Sequence, residues 1–153
     1  MALQQAVGMA AGVSTTLPAT FDSTGFAALT YTACGRLNTA PDLDGEYDVA
    51  NFDDLTLGTE VKLSDVFRAG EGTMSLGFDE EDAGQAILEG AKGDKVALAF
   101  TLKNGTVYYR TAIIKSYKPV NISTGNIVMA DVMLAFEGVT VKKVKVAAAP
   151  ATK

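Results

Sequence analysis

Apolar and polar positions alternate most clearly between residues 71 and 136. Met74, Leu76 and Phe78 alternate with Thr73, Ser75 and Gly77, a period of two that predicts a strand over residues 71–78. The period then lengthens. Asp79 is placed to cap a helix, with Glu80, Glu81 and Asp82 in the first turn, where the helix dipole favours anions. Ala83, Ile87, Leu88 and Ala91 form an apolar stripe, which predicts a short helix over residues 79–91 that needs a sheet to pack on. Next comes a hairpin turning on Asn104-Gly105, a pair suited to a type I′ turn because both central residues need positive φ. That loop sets Leu102 opposite Val107, Phe100 opposite Tyr109, Leu98 opposite Thr111 and Val96 opposite Ile113. Pro119 is expected to end the second strand. Residues 126–136 are apolar on both faces apart from Asp131, as in a strand covered on two sides. Asp131 is left two roles: partner to Arg110 in a sheet interior, or a group facing a solvent-filled channel.

The flanking segments are less regular. Residues 1–25 are rich in Ala, Gly, Ser and Thr without clear periodicity and read as an N-terminal arm that orders on contact with a partner. Residues 26–37 are β-rich, with Leu29, Tyr31, Ala33 and Gly35 on one face and Thr30, Thr32, Cys34 and Arg36 on the other. Residues 38–64 form a long acidic loop region punctuated by Pro41, Gly45 and Gly58, with short strands expected near 45–49 and 55–63. Residues 139–146 suggest a last strand within a C-terminal extension over 139–153. The chain is read as a single domain, 1–153.

Charge is distributed unevenly. Residues 42–82 hold thirteen Asp and Glu against Lys62 and Arg68, a local −11; with the whole chain at −5, the remainder carries +6. Lys142, Lys143 and Lys145 cluster near the C-terminus. An acidic flank and a basic flank on one small protein suit head-to-tail self-association. The acids Asp42, Asp44, Glu46, Asp48, Asp53 and Asp54, together with the three lysines, are the candidate contact residues.

Catalytic chemistry finds little support. The chain has no histidine and one cysteine, Cys34, which excludes Ser-His-Asp triads, His-ligated zinc and an internal disulfide. Cys34 reads as a small buried hydrophobe. Asp42, Asp44, Gly45, Glu46 and Asp48 resemble a calcium loop in composition, but the glycine is misplaced and no bidentate Glu follows at the required distance. Tyr108, Tyr109, Arg110 and Lys115 read as cross-strand packing in preference to a nucleic-acid face. No catalytic, cofactor or metal residue is assigned. No apolar stretch approaches the ~20 residues that span a bilayer. The first residues resemble a signal core but lack a basic start, since the first Lys or Arg is Arg36, so secretion is not expected.

Order and texture together resemble a known family. A strand precedes an acidic helix carrying Asp82, Gly84, Gln85, Ala86 and Leu88; a hairpin follows with Asn104, Gly105, Thr106, Tyr109 and Arg110, and then a final strand. This resembles the major tail protein, or tail tube protein, of long-tailed non-contractile bacteriophages over roughly the C-terminal two thirds. The resemblance implies a mainly β (α+β) fold, a β-sandwich or barrel-like subunit with one flanking short helix. Six such subunits form a ring, their inner strands join into one multi-subunit β-barrel, and the rings stack into a tube. It also implies a structural, non-enzymatic virion protein assembled in the bacterial cytoplasm, with tape-measure, tail tip and tail terminator proteins as partners. DNA would pass through the lumen without specific binding, past a wall of net negative potential. The long acidic loop would contact the next ring. Two alternatives stand beside it: the tube of a related injection machine (tailocin or type VI secretion-like), and a monomeric β domain binding a ligand or peptide at a sheet edge.

Overall fold

Two short strands, consecutive in the chain, lie at opposite margins of the main sheet and dictate its shape. The computed structural model describes residues 7–144. Its strands are β1 (Ala10–Ser14), β2 (Thr32–Cys34), β3 (Leu37–Thr39), β4 (Glu46–Asp54), β5 (Thr59–Arg68), β6 (Glu71–Gly77), β7 (Lys95–Thr101), β8 (Val107–Val120) and β9 (Met129–Lys143). Two helices, α1 (Ser23–Ala27) and α2 (Ala83–Gly90), complete the fold. Seven strands form one antiparallel sheet in the order β2-β1-β7-β8-β9-β6-β3, and β4 and β5 form a separate hairpin. In a flat sheet of seven strands the outer pair would lie ~29 Å apart. Only Gly35 and Arg36 join β2 to β3, and a link of that length reaches ~11 Å at most. The sheet must therefore roll until its margins meet, which gives the expected barrel-like β subunit with a flanking helix.

The concave face is the core. Val13, Val96, Leu98, Phe100, Ala112, Ile114, Met74, Leu76, Val132 and Leu134 meet there with Leu88 of α2. Cys34 belongs to the same cluster; burial, with the Asp82 charge adding to it, pushes its thiol up to about 12, so it packs as a hydrophobe. On the outer face Phe26 of α1 stacks on Tyr109 at 5.4 Å and packs with Ala97 and Ala99.

Several boundaries differ from the sequence reading. Residues 10–14, expected within a loose arm, form β1, inserted between β2 and β7. Their Ala-Gly-rich texture hid a strand whose burial comes from distant partners. Phe26 lies in α1 and not in a strand, and Arg36, at φ 63, is the reversal between β2 and β3. Asp82, not Asp79, caps α2 by accepting from the Gln85 N–H at 3.0 Å. Asp79 closes the preceding turn by accepting from the Glu81 N–H, so Glu80, Glu81 and Asp82 precede the helix. The buried stripe is Gly84, Gln85, Leu88 and Ala91, while Ala83 is exposed. Pro119 does not end β8, which runs to Val120. The strand expected at 126–136 and that at 139–146 are one, β9, bent where Gly138 takes φ 74.

The β7–β8 hairpin has a different register. Only Gly105 takes positive φ, at 92°. Its N–H donates to the Leu102 carbonyl, the Leu102 N–H donates to the Thr106 carbonyl, and the Asn104 side chain accepts from the Thr106 N–H. This is a three-residue loop with a glycine bulge, not a type I′ turn. Val96 therefore faces Ala112, Leu98 faces Arg110 and Phe100 faces Tyr108. One residue of slip turns β8 over, which sends Tyr109 outward to α1 and Arg110 inward.

Polar contacts around Gln85 close the roll. The residue is 1% exposed, and its amide uses its whole bonding capacity. Nε2 donates to the Gly35 and Gly77 carbonyls at 3.2 and 2.8 Å; Oε1 accepts from the Asp79 N–H and the Tyr117 hydroxyl, both at 3.0 Å. Asp82 also accepts from the Gly35 N–H, and the Gly77 N–H donates to the Arg36 carbonyl at 2.7 Å.

Gln85→Leu fills the same space and removes the partner of these four groups, Tyr117 buried and the other three partly buried. It is expected to cost about 3 kcal/mol or more, read as a lowered urea midpoint, and a neutral result would refute the junction's importance. Gly84→Ala should also destabilise, by about 2 kcal/mol, although alanine is the better helix former. The new Cβ would collide with the Ala33 carbonyl and the Cys34 Cα. Thermal unfolding of G84A settles the sign.

Candidate assembly surfaces

Three features face outward without a partner among the described residues: the β4–β5 hairpin, two strand margins and one open sheet face. The acidic region expected to be a loop is largely this hairpin. It turns at residues 55–58, where Asp54 accepts from the Thr56 and Leu57 N–H groups and Gly58 takes φ 66. The strand expected over 55–63 thus begins instead at Thr59. Phe52 pairs with Val61 and Ala50 with Leu63, which puts these apolar side chains on one face. Asp53, Glu60, Asn51 and Lys62 occupy the other. Phe52 and Leu63 are exposed, and Leu55 at the tip is 95% exposed.

The base of the hairpin is fastened. Tyr47 and Phe67 meet edge to face at 5.0 Å, and Asp48 pairs with Arg68 at 2.7 Å. Arg110, 2% exposed, donates to the Asp42 carbonyl at 3.0 Å and the Ala69 carbonyl at 2.6 Å, and lies 3.7 Å from the Phe136 ring centre. Burial pulls its pKa down, with the Asp44 and Asp42 charges opposing. Arg110 is not the partner of Asp131, which instead accepts from the Ser75 hydroxyl at 2.9 Å.

The candidate residues fall into groups. Asp48 and Asp54 hold the hairpin's own structure, Asp44 accepts from the Gly45 N–H, and Asp53 lies opposite Glu60. Asp42, Asp44 and Glu46 line one groove with Arg68 and Arg110. Lys142 lies 5.5 Å from the Tyr108 ring centre, and Lys143 at the end of β9 pairs with Val107 on β8. Lys145 lies outside the described residues. Among the described residues, no cluster of His, Cys, Asp or Glu is arranged to hold a metal ion, and no helix is long and apolar enough to cross a membrane.

Strand margins are the second feature. The β7 ladder on β8 ends at Ile113, and the β6 ladder on β9 ends at Ala135. Among the described residues, segments 116–120 and 137–143 therefore carry a strand neighbour on one side only. Among the described residues, the buried hydroxyls of Ser116 and Thr140, one in each segment, lack a hydrogen-bond partner. A sequence scan misses these margins because they arise from unequal strand lengths, 14 and 15 residues in β8 and β9 against 7 in β6 and β7.

The open face of the sheet is the third. Thr73, Ser75, Asp131, Met133, Ser116 and Lys118 share it. Lys95 pairs with Glu137 at 2.7 Å, Lys115 pairs with Glu71 at 3.2 Å, and Lys118 lies opposite Asp131. Its charge is balanced.

No protein-family model matches the chain, and no curated protein matches it. Solved structures do share its fold. A chain of the anti-feeding prophage cap, a tube-terminating cap, aligns with TM-score 0.61 at 14% identity over 95% of each chain. A chain of the PVC sheath–tube complex in its extended state, from an extracellular contractile injection system, aligns with TM-score 0.58 at 14% identity over 88% of this chain and 87% of its own. A chain of the anti-feeding prophage baseplate aligns with TM-score 0.53 at 6% identity, over 94% and 97% respectively. The chain has the tail-tube-like fold these particles contain.

Because the hairpin's apolar face has no cover among the described residues, the double variant Phe52→Ser, Leu63→Ser should move subunit stability by no more than about 0.5 kcal/mol. Leu98→Ala in the core should cost 2–5 kcal/mol, on the order set by cavity formation. Parallel urea titrations of the unassembled subunit compare them. Equal losses would mean the hairpin is covered within one molecule.

Proposed function

We propose that this protein is a structural tube subunit of a phage-tail-like particle, with copies arranged in hexameric rings that stack into a hollow cylinder. The single observation that carries the reading is the pair of half-laddered strand segments, 116–120 and 137–143. Unpaired strand backbone is a template for another chain. Lateral joining of β8 of one copy to β9 of the next would continue the sheet around a ring, and closure removes the exposed margins altogether. The likeness to components of contractile injection particles supports the same reading. The role is non-enzymatic. Under it, the β4–β5 hairpin with Asp42, Asp44, Glu46, Asp48, Asp53 and Asp54 is the arm toward the neighbouring ring, and Lys142, Lys143 and Lys145 are basic contacts.

Two particle types fit this subunit. The sequence resemblance over the C-terminal two thirds supports the tail of a long-tailed phage, where the lumen conducts the genome and tape-measure, tail tip and terminator proteins are partners. The structural likeness supports the tube of an injection machine of the contractile kind. On these observations the injection-machine tube is the better supported of the two. A sheath gene beside this one is the expected finding; a tape-measure gene without a sheath gene would favour the long-tailed phage.

Purified protein at high concentration should form rings or hollow filaments with sixfold symmetry by negative-stain electron microscopy. Changing Lys142, whose position opposite Tyr108 turns its N–H away from β8, to Pro removes a backbone donor from the 137–143 margin and should reduce ring number at least tenfold, with the subunit still folded. A wild-type protein that stays monomeric at every concentration would overturn the reading in favour of a sheet-edge binding domain.

A further inference from the structure

Arg110 stands where the β8–β9 ladder shifts register, between Tyr109 and Thr111. That shift and the bulged hairpin turn its side chain into the core. There it meets no carboxylate within ion-pair distance among the described residues. Its guanidinium instead holds two main-chain carbonyls that lie 27 positions apart in the chain, Asp42 and Ala69. Asp42 precedes β4 and Ala69 follows β5, so the two bonds grip the two legs of the projecting hairpin. The Phe136 ring backs the cation at 3.7 Å. A buried unpaired charge is costly, and an apolar side chain of equal volume would often serve stability as well. What an apolar residue cannot supply is a planar fork with several donors in fixed directions; a lysine ammonium cannot supply it either. The legs also run close together, since a Cβ on Gly45 would collide with the Arg68 carbonyl. A two-stranded hairpin has little stability of its own, so its direction is set at its base.

We infer that Arg110 is a positioning residue for assembly: by clamping both legs it fixes the direction in which the β4–β5 hairpin leaves the body. The clamp itself is independent of the tube reading; its consequence for ring stacking rests on that reading.

The test is a spin-label distance between the hairpin tip and the body, with labels on Leu57→Cys and Lys118→Cys in a Cys34→Ala background, diluted into unlabelled protein. Wild type should give a distance distribution as narrow as that between two labels on the body. Arg110→Met and Arg110→Lys should widen it at least twofold while the far-UV circular dichroism of the body is unchanged. Loss of packing alone would lower the melting temperature without widening the distribution. If Arg110→Met fails to fold, Arg110→Lys decides, since it keeps the stem and the charge but not the fork. A broad wild-type distribution, which depends on no variant, overturns the clamp, as does an unchanged width in Arg110→Lys. In microscopy R110K should give fewer than one tenth of the wild-type rings. Normal ring numbers with a widened arm would overturn the role in assembly. If wild type forms no rings but the widths behave as expected, the clamp stands and the tube reading falls.

Discussion

The fold depends on closing a rolled sheet with a link of two residues. Backbone groups at such a seam lose their ladder partners, and a buried unpaired amide or carbonyl costs about as much as a lost hydrogen bond. Gln85 supplies what the seam lacks. Its amide donates to Gly35 at the β2–β3 link and to Gly77 at the end of β6, and it accepts from the Asp79 turn and from Tyr117 on β8. Asp82 and Gly84 serve the same junction. Asp82 caps α2 and accepts from the Gly35 N–H; Gly84 lets the helix lie against Ala33 and Cys34, where any Cβ would collide. The cap residue Asp82 and the first-turn residues Gly84 and Gln85 of one short helix thus hold the two sheet margins together, and Leu88 one turn later fills the core beneath them.

This explains why the motif of Asp82, Gly84, Gln85, Ala86 and Leu88 was legible as a pattern before its reasons were. Local periodicity identified the order strand, helix, hairpin, strand, and it identified Val96, Leu98 and Phe100 as one core face. It failed wherever the deciding partner was distant. The choice between Asp79 and Asp82 as cap rests on Gly35, far back in the chain. The strand at residues 10–14 is carried by β7, not by its own Ala-Gly-rich composition. The hairpin register turned on whether Asn104 took positive φ; the Thr106 N–H offered its side chain a better use. Leu55 and Leu57 looked like strand residues, but the Asp54 carboxylate and Gly58 make a turn of them.

The surfaces were harder to read than the core, for a related reason. A strand margin is open or closed according to how far its neighbours extend, which no single segment encodes. Arg110 shows the same limit. Paired in thought with Asp131, the one acid in an apolar strand, it serves main-chain carbonyls at the foot of the hairpin instead, because a one-residue slip in β8 carried it to the other face. The same slip delivered Tyr109 to Phe26 and Tyr31, so one loop geometry organises both the outer aromatic cluster and the hairpin's base.

Charge and apolar exposure coincide on the β4–β5 hairpin, and that coincidence has a physical logic. An exposed two-stranded ribbon with Phe52, Leu55, Leu57 and Leu63 uncovered invites non-specific pairing. The same ribbon, from Glu46 to Arg68, carries six acids against two bases. Asp53 and Glu60 even lie directly opposite one another, an arrangement that costs stability within the hairpin. A like-charge pair in such a place weakens the ribbon slightly but repels every identical ribbon, which keeps free copies apart. Docking on a surface that is apolar and not acidic removes both penalties at once. The acidity of this segment therefore opposes pairing between one free ribbon and another, while the open sheet face is left neutral by its own lysine–acid pairs.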